Sequence, residues 1–548
     1  MSSVERSKNP GTSPVLAALG LFAAVGLAAL PSEAQSSDDL LRRIEALERQ
    51  NVAQTEELAR LREQMKRQPP TGESASPLRA RAEAPAGASG KGAPGQARKP
   101  DEFRWDFGGQ YRVMVNASNS RWHPDTVNDE VAVGFANQRF RTWLSVSPVE
   151  SVEGYLQVEF GHIPWGSNFE GTKTYAGPRF PGAADPNGDR VGIELRRGYL
   201  TYRNEDAGDF RIGIQDWHDQ FTSAGSSIPK EPAVDDYRSF GSILANSIWD
   251  FNVGGLTWHR EFAGLGDLQA RAGWYELFRA GGSLRFADAH LTALDLDLPV
   301  GEDAGVGLST YYLYDGGLYS YPTVAAYDRA WDVWLGLRGH AKLGAVPLNA
   351  FAIWNVGGRD DPEPLGDFEH SGWAAKIEAG PVTLGPGDLS VQALFSTGED
   401  DPTDRNSSEF RTIAQSERDN FGAQGYWSYL VLTSPHGPSD VNDLGVGVQN
   451  RGLGLITLQA KYDYPLFGSL RGTTAAGWLG AQVDRPANDD QNIGFEAAQT
   501  FALDLGGGMS TQFGVAWLLT GGFYDDAPPG TAGADDLWEA FTRFQLEF

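Results

Sequence analysis

The chain has no cysteine, few basic residues for its acidity and, after its first 30 residues, no long apolar run. Its 548 residues contain 0 cysteines, so disulfides, thiol catalysis and cysteine-held metals are excluded. Lys and Arg number 45 against 72 Asp and Glu, which gives a formal net charge of −27. Because nucleic acid repels such a charge, we expect no nucleic-acid partner. No later apolar run approaches the roughly 20 residues that a transmembrane helix needs.

Residues 1–34 have the parts of an export signal. Arg6 and Lys8 precede the apolar segment VLAALGLFAAVGLAAL at 15–30, and the small residues of SEA follow at 32–34. An apolar segment of 16 residues is short for a membrane anchor. A cleaved signal peptide over 1–34 is therefore the preferred interpretation, and an uncleaved anchor is the alternative.

Residues 37–66 repeat apolar residues with a mean spacing of 3.5 positions, which is typical of a coiled coil. Heptad positions a and d are held by Leu40, Ile44, Leu47, Asn51, Gln54, Leu58, Leu61 and Met65. Polar Asn51 and Gln54 in the middle of the seam would weaken it while fixing its register and the number of chains. A lone amphipathic helix is the alternative. We expect this segment to bring copies of the chain together, with a homotrimer favoured over a monomer.

Residues 67–101 are rich in Pro, Ala and Gly and cannot form a core. We interpret them as a flexible linker, which as a random coil would span roughly 30 Å. The predicted organisation is thus a signal peptide over 1–34, a coiled coil over 37–66, this linker, and one large domain over 102–548.

The domain over 102–548 alternates apolar and polar residues in short segments, which predicts β-strands. In FRWDFGGQYRVMV at 103–115, Trp105, Phe107 and Tyr111 share one face, opposite Arg104 and Arg112. We predict eighteen strands, with sixteen as the alternative count, over 103–116, 137–147, 151–161, 191–203, 209–216, 247–260, 267–278, 283–298, 303–314, 329–343, 346–358, 371–381, 387–397, 447–464, 468–482, 492–504, 510–523 and 537–548.

The connections between these strands alternate in length. Short ones such as PVE at 148–150 and GAVP at 344–347 alternate with long ones such as 217–246 and 398–446, and RAGG at 279–282 is the break in the pattern. Short turns on one rim and long loops on the other are typical of a bacterial outer-membrane barrel. The predicted fold is therefore all-β, a transmembrane antiparallel β-barrel with its apolar face toward lipid.

The last strand, WEAFTRFQLEF at 538–548, ends in an amphipathic pattern that includes Phe544, Leu546 and Phe548, although Phe541 breaks the alternation. This ending resembles the assembly signal of Gram-negative outer-membrane barrels. The resemblance implies an outer-membrane porin, with the barrel-assembly machinery as a partner.

Two narrower resemblances concern other segments. IELRRGYLTYR, FRIGIQDW and FSTGEDDPTDRNSSEF look like parts of the alginate-export porins, which implies a monomeric barrel of eighteen strands with a basic pore. The coiled coil is instead similar to the helical prefix of trimeric porins, including phosphate-selective ones. Membership in either group stays open.

Basic residues dominate the predicted inward faces, with twelve against six acidic ones. The candidates to line a pore are Arg104, Arg112, Arg139, Arg141, Arg197, Arg211, Arg271 and Arg338. Clustered arginines in a narrow lumen would attract anions. Alternatively, and with equal weight, they pair with inward carboxylates and stiffen the wall.

These features predict a porin in the outer membrane of a Gram-negative bacterium, with its coiled coil in the periplasm. It would contact lipid outside and admit small polar solutes, and whether it prefers anions is left open. The alternative is a structural protein that tethers the outer membrane to the cell wall. We expect no enzyme, since GxSxG and HExxH are absent and DWHDQF at 216–221 is better explained as a polar loop. No cofactor or metal is expected, because the acidic turns at 185–189 and 400–404 lack the spacing of a calcium loop.

Overall fold

The computed structural model describes most of the chain after residue 102. The described residues are 103–118, 133–164, 193–217, 219–221, 252–278, 288–301, 303–316, 329–361, 367–401, 405–413, 448–485, 489–524 and 536–548. The predicted signal peptide, coiled coil and linker lie outside these residues, as do Asn51 and Gln54.

The alternating segments form one large sheet within the described residues. Its strands are β1 (Arg104–Ser118), β2 (Val133–Val149), β3 (Val152–Pro164), β4 (Ile193–Asn204), β5 (Gly208–Asp216), β6 (Asn252–Phe262), β7 (Leu268–Phe278), β8 (Ala289–Pro299), β9 (Ala304–Asp315), β10 (Arg329–Leu343), β11 (Val346–Asp360), β12 (Phe368–Leu384), β13 (Gly387–Ser396), β14 (Asn406–Ser407), β15 (Ile456–Pro465), β16 (Leu470–Gly480), β17 (Asn492–Gly506), β18 (Met509–Thr520) and β19 (Leu537–Glu547). The two-residue β14 pairs in parallel with β12. The other strands run antiparallel to their neighbours, and β13 pairs directly with β15.

The sheet closes on itself through its first and last strands. Gln110 of β1 is opposite Arg141 of β2 on one side and Glu547 of β19 on the other. Because a closed sheet has no edge, its strands satisfy each other's backbone hydrogen bonds. The predicted antiparallel barrel of eighteen strands is confirmed.

Each predicted strand is present, and two boundaries move most. The predicted strand 447–464 begins only at Ile456, because the chain before it turns through a 3₁₀ helix at Asn450–Gly452 with positive φ at Asn450 and Gly454. The predicted strand 283–298 begins at Ala289. Residues 279–287, which include the RAGG break in the alternation of loop lengths, lie outside the described residues.

The barrel is apolar outside and polar inside. On β10, Leu337 is 62% exposed while the next residue, Arg338, is 5% exposed. Other exposed residues of the outer face include Trp274, Leu335, Trp354, Trp373, Leu458, Phe495 and Trp517. A continuous apolar exterior around a charged interior is the arrangement expected of a barrel whose outer solvent is lipid. In the described part of the chain, no helix is long and apolar enough to cross a membrane.

Two glycines in β1 make room for aromatic rings where the barrel closes. A Cβ on Gly108 would lie 2.6 Å from the Trp143 ring, and one on Gly109 would lie 2.6 Å from Cζ of Phe548. Gly109 N donates a hydrogen bond to Phe548 O at 2.9 Å, and Phe548 N donates to Gly109 O at 3.1 Å. The junction between the first and last strands thus depends on the absence of side chains here.

Candidate pore and its constriction

Four of the predicted arginines lie close together on β1, β2 and β4. They are Arg112, Arg139, Arg141 and Arg197, and all four are buried on the inner face. Arg112 is opposite Arg139 in the register of β1 and β2. Arg139 Nη2 donates to Gln110 Oε1 at 2.8 Å, and Arg141 Nε donates to a carboxylate oxygen of Glu159. We call these four residues the basic arc.

Two other predicted arginines lie near this arc's strands but in different surroundings. Arg211 on β5 is half-buried, and its guanidinium lies 4.4 Å from the centre of the Tyr199 ring. Arg104, at the beginning of β1, is exposed and forms an ion pair with Asp106 at 3.1 Å. Arg104 is therefore separate from the buried cluster.

Arg271 belongs to a second buried network, on β7, β8 and β9. Its Nε and Nη2 donate to Asp295 Oδ2 at 2.9 and 2.6 Å. The other oxygen of Asp295 accepts hydrogen bonds from Ser309 Oγ at 2.6 Å and Tyr311 OH at 2.5 Å. This carboxylate is satisfied on both oxygens, which fixes the three strands relative to one another.

Arg338 on β10 extends the same network. Its Nη2 donates to Asp297 Oδ1 at 2.5 Å, and its Nη1 donates to Ser309 Oγ. Sequence reasoning missed both Asp295 and Asp297. The stretch LDLDL at 294–298 carries the signal, since it places the two carboxylates on the face opposite three leucines.

The balance of charge inside the barrel differs from the sequence-based expectation. Among the described residues, eight Arg and Lys side chains are buried against nine Asp and Glu side chains. The predicted twofold basic excess is therefore not found. The two sides of the wall differ in composition, because β1 to β4 carry the basic arc with the buried Glu159, while β7 to β12 carry Arg271, Arg338 and Lys376 together with the buried carboxylates Asp295, Asp297, Asp315, Asp332 and Glu378. These two groups lie about halfway round the ring from each other.

The segment 217–221, which follows β5, folds into the barrel. Trp217 and Phe221 are buried, although the sequence places them in a polar loop. The Phe221 ring lies 5.5 Å from the Phe351 ring and 6.0 Å from the Tyr311 ring. A Cβ on Gly336 would overlap Cζ of Phe221, so this glycine leaves the space that the ring occupies. We call 217–221 the first inner segment.

A hydrogen bond holds the first inner segment against β9, since Gln220 N donates to Tyr311 OH at 3.2 Å. Within the segment, Phe221 N donates to Asp219 Oδ1 at 3.0 Å. The segment contains the DWHDQF motif, whose His218 lies outside the described residues. Its described aromatic residues serve as apolar anchors.

A second inner segment, 405–413, follows β13 and packs on the inner face of β10 to β12. Phe410 is fully buried, and a Cβ on Gly372 would lie 2.5 Å from Phe410 N. Trp334 Nε1 donates to Arg411 O at 2.8 Å, and Arg411 N donates to Asn355 Oδ1 at 3.0 Å. Together the two inner segments narrow the lumen from the side of β7 to β12.

An ion-pair cluster around Asp361, which lies just after β11, ties the second inner segment to the end of that strand. Asp361 accepts hydrogen bonds from Arg359 Nε at 2.5 Å and from Arg405 Nη1 at 2.7 Å. Burial alone would raise the pKa of the Asp361 carboxyl. The hydrogen bonds and positive charges of the two arginines outweigh burial and lower that pKa below its usual range.

The predicted assembly residues lie on the outer face of β19 and just after it. Phe544, Leu546 and Phe548 are exposed. The Phe548 ring stacks at 6.1 Å from the Phe140 ring. Phe541, which breaks the alternation, is buried inside, where its ring occupies the space that a side chain on Gly514 would fill.

No group of three or more His, Asp or Glu side chains that could hold a metal ion is found in the part of the chain that the structure describes. The acidic turn at 185–189 and residues 402–404 lie outside that part. Glu399, just after β13, is committed to backbone contacts, since Asp401 N and Ser408 N donate to its carboxylate at 2.9 and 2.7 Å. Burial would raise the pKa of Glu399, but these hydrogen bonds lower it overall.

Solved structures of similar architecture are outer-membrane proteins. OccK8 (OprE) and OpdL, both of Pseudomonas aeruginosa, are each 12% identical, with TM-scores of 0.45 and 0.46, and in both cases 81% of this chain covers 98% of that chain. The trimer form of OmpT of Vibrio cholerae is 10% identical with a TM-score of 0.37, and 82% of this chain covers 100% of it. No protein-family model matches the chain, and neither does any curated protein. At these identities and scores the likeness is one of general construction, and no function is transferred from it.

Proposed function

We propose that this protein is an outer-membrane porin through which small polar solutes diffuse passively. The observation that carries the proposal is the closed barrel of eighteen strands with an apolar exterior and a charged interior. Lipid outside and water inside account for both faces at once. The two inner segments would set the width of the path.

A preference for anions is the finer part of this proposal. The basic arc holds four buried arginines on β1, β2 and β4, where Arg141 is bonded to the buried Glu159. On β7 to β12, three buried basic residues of the strands lie among five buried carboxylates, and Arg271 and Arg338 are bonded to Asp295 and Asp297. A solute that carries a carboxylate or phosphate would therefore be attracted to the wall of β1 to β4.

The double substitution Arg139→Ala and Arg141→Ala tests the anion preference. We expect the ratio of anion to cation permeability to fall several-fold in planar bilayers, since two positive charges leave the arc. The double substitution Arg139→Lys and Arg141→Lys, which keeps both charges, should retain most of the preference.

Arg104→Ala is the matched control, because Arg104 is exposed and distant from the buried cluster. It should leave the permeability ratio unchanged. If the double alanine variant also keeps the ratio, the arginines only stiffen the wall, and the preference for anions is refuted while the porin itself stands.

We further infer that residues 37–66 form a periplasmic coiled coil that gathers three copies, joined to the barrel by the linker 67–101. Support comes from the heptad spacing and from Asn51 and Gln54 at core positions. Light scattering of the detergent-solubilised full chain tests this. A trimer mass is expected, and deletion of 37–66 should lower it or weaken the trimer on dilution. A monomer mass for the full chain contradicts the inference.

A further inference from the structure

A closed cycle of hydrogen bonds connects the first inner segment to the wall of the barrel. Gln220 N donates to Tyr311 OH at 3.2 Å, and Tyr311 OH donates to Asp295 Oδ1 at 2.5 Å. The other oxygen of Asp295 accepts from Arg271 Nε and Nη2. The side-chain amide of Gln220 faces that guanidinium and, with its oxygen directed there, accepts from Nη2 at 2.9 Å and Nη1 at 3.1 Å. We call this arrangement, which begins and ends at Gln220, the Gln220 cycle.

The Gln220 cycle adds a directional connection to the apolar contacts of the segment. All four of its side chains are buried. In such surroundings hydrogen bonds strengthen one another, and a polar group that loses its partner is costly. The contacts of Trp217 and Phe221 with the wall are apolar and depend little on direction. The two rings therefore hold the segment against the wall, and the Gln220 cycle fixes its position there.

Arg271 brings little net charge to the lumen. Its Nη2 lies 2.6 Å from Asp295 Oδ2, so a full negative charge accompanies the guanidinium. The potentials of two close and opposite charges largely cancel at the distance of a passing ion. A role for Arg271 in the choice between anions and cations thus has little physical basis, although its charge alone predicts one.

We propose that Arg271 is a positioning residue of the constriction. It holds the first inner segment in place through Gln220, and it does not contribute to the preference between anions and cations. Arg271 is among the residues predicted to line the pore, and its contacts assign it to the constriction instead. This inference rests on the proposed porin function, because the position of the segment would set the width of the path that solutes take.

The substitution Gln220→Leu tests the connection without changing any charge of the wall. Leucine is close to glutamine in size but has no amide, so the contact with Arg271 is lost. We expect brief closures of single channels in planar bilayers to become several-fold more frequent, because the segment can then move into the lumen. The ratio of anion to cation permeability should stay unchanged. Gln220→Glu keeps an acceptor toward Arg271 and should retain the wild-type frequency of closures.

The substitution Arg271→Lys separates position from charge. Lysine keeps the positive charge but lacks the planar fork of donors that reaches Asp295 and Gln220 together. We expect closures to become as frequent as in Gln220→Leu, again with an unchanged permeability ratio. The double variant should close no more often than either single variant, since both changes break the same connection.

Ser309→Ala is the matched control. Ser309 Oγ donates to the same carboxylate, at 2.6 Å from Asp295 Oδ1, but it belongs to the wall and is bonded to Arg338 rather than to the inner segment. The frequency of closures should stay near the wild-type value. Heat-modifiable mobility on gels shows whether each variant has folded.

Three results would contradict the inference. An unchanged frequency of closures in folded Gln220→Leu would overturn it and leave the porin intact. The same holds if Arg271→Lys behaves as the wild type while Arg271→Ala lowers the anion preference, because the charge of Arg271 would then be what acts. A wild-type protein that conducts no ions would refute the proposed porin function and this inference with it.

Discussion

Single glycines decide where the interior can be filled. Gly336 on β10 has no side chain, and the ring of Phe221 occupies that space from a segment more than 100 residues earlier. The wall and the inner segment are therefore matched at one pair of residues. On β12, Gly372 likewise leaves the space that the backbone at Phe410 of the second inner segment occupies.

The substitution Gly336→Ala should force the first inner segment away from the wall, because its methyl group would overlap the Phe221 ring. We expect a loss of about 1–3 kcal/mol in the free energy of unfolding, as for other overpacked cores, together with a lower single-channel conductance. Adding Phe221→Ala should remove most of the extra cost of the methyl group, which a double-mutant cycle measures. Gly134→Ala is the control, since the nearest atom to its Cβ is 3.9 Å away. If the losses in the free energy of unfolding of Gly336→Ala and Phe221→Ala are additive, the contact between these two positions is contradicted.

Because the pKa of the Asp361 carboxyl is lowered, the pH range in which its ion pairs with Arg359 and Arg405 stabilise the fold can be predicted. A carboxyl whose pKa is lower in the folded state stabilises that state above its unfolded pKa of about 3.9, and the contribution is lost as the pH falls through the folded pKa. The difference in denaturant midpoint between the wild type and Asp361→Asn should therefore be constant from pH 7 to pH 5 and shrink below about pH 4. A difference that shrinks already at pH 6 would contradict the assignment.

At the scale of the element, strands were predictable and inner segments were not. The alternation that marks β10 or β19 is local in sequence, so it locates a strand without knowledge of its partner. The first inner segment has no such period. Its place depends on Gly336 and Tyr311, on strands that lie far along the chain, and Trp217 and Phe221 in a polar loop are the only local sign.

The same distinction explains the outcome for the candidate site. Alternation assigned the arginines of β1, β2 and β4 to one face, and the register placed Arg112 opposite Arg139. Which carboxylate each arginine meets depends on strand pairing, as with Arg338 and Asp297 across β8 to β10. Such pairings cannot be read from a single strand.

The junction of β1 and β19 provides a prediction at this scale. Gly109→Val would place methyl groups where the Phe548 ring lies, because a Cβ already reaches within 2.6 Å of it. We expect a smaller folded fraction, seen as heat-modifiable mobility on gels, and a loss of about 1–3 kcal/mol in the free energy of unfolding. Ala352→Val on the outer face of β11 is the control. Equal stability of both variants would show that the ring is not needed for closure.

The whole molecule is organised by two solvents, and one strand can test this. Leu337→Arg, in the middle of β10, should cost about 2–4 kcal/mol in the free energy of unfolding from a bilayer, whereas a charge near the interface costs about 0–1 kcal/mol. Leu343→Arg, at the turn that ends the same strand, is the matched control and should have the smaller effect. Chemical denaturation in lipid vesicles measures both. Equal costs at the two positions would mean that lipid is not the outer solvent.

The two inner segments also affect how the barrel as a whole responds to lateral pressure in a membrane. Within the described residues, both segments add an inner layer to the side of β7 to β12, through the contacts of Gly336, Trp334 and Tyr311. Lateral pressure in a bilayer would accordingly flatten the ring unevenly, with the curvature changing most along β1 to β4. Membrane tension would thereby act on the spacing of the four arginines before it acts on the aromatic layer opposite.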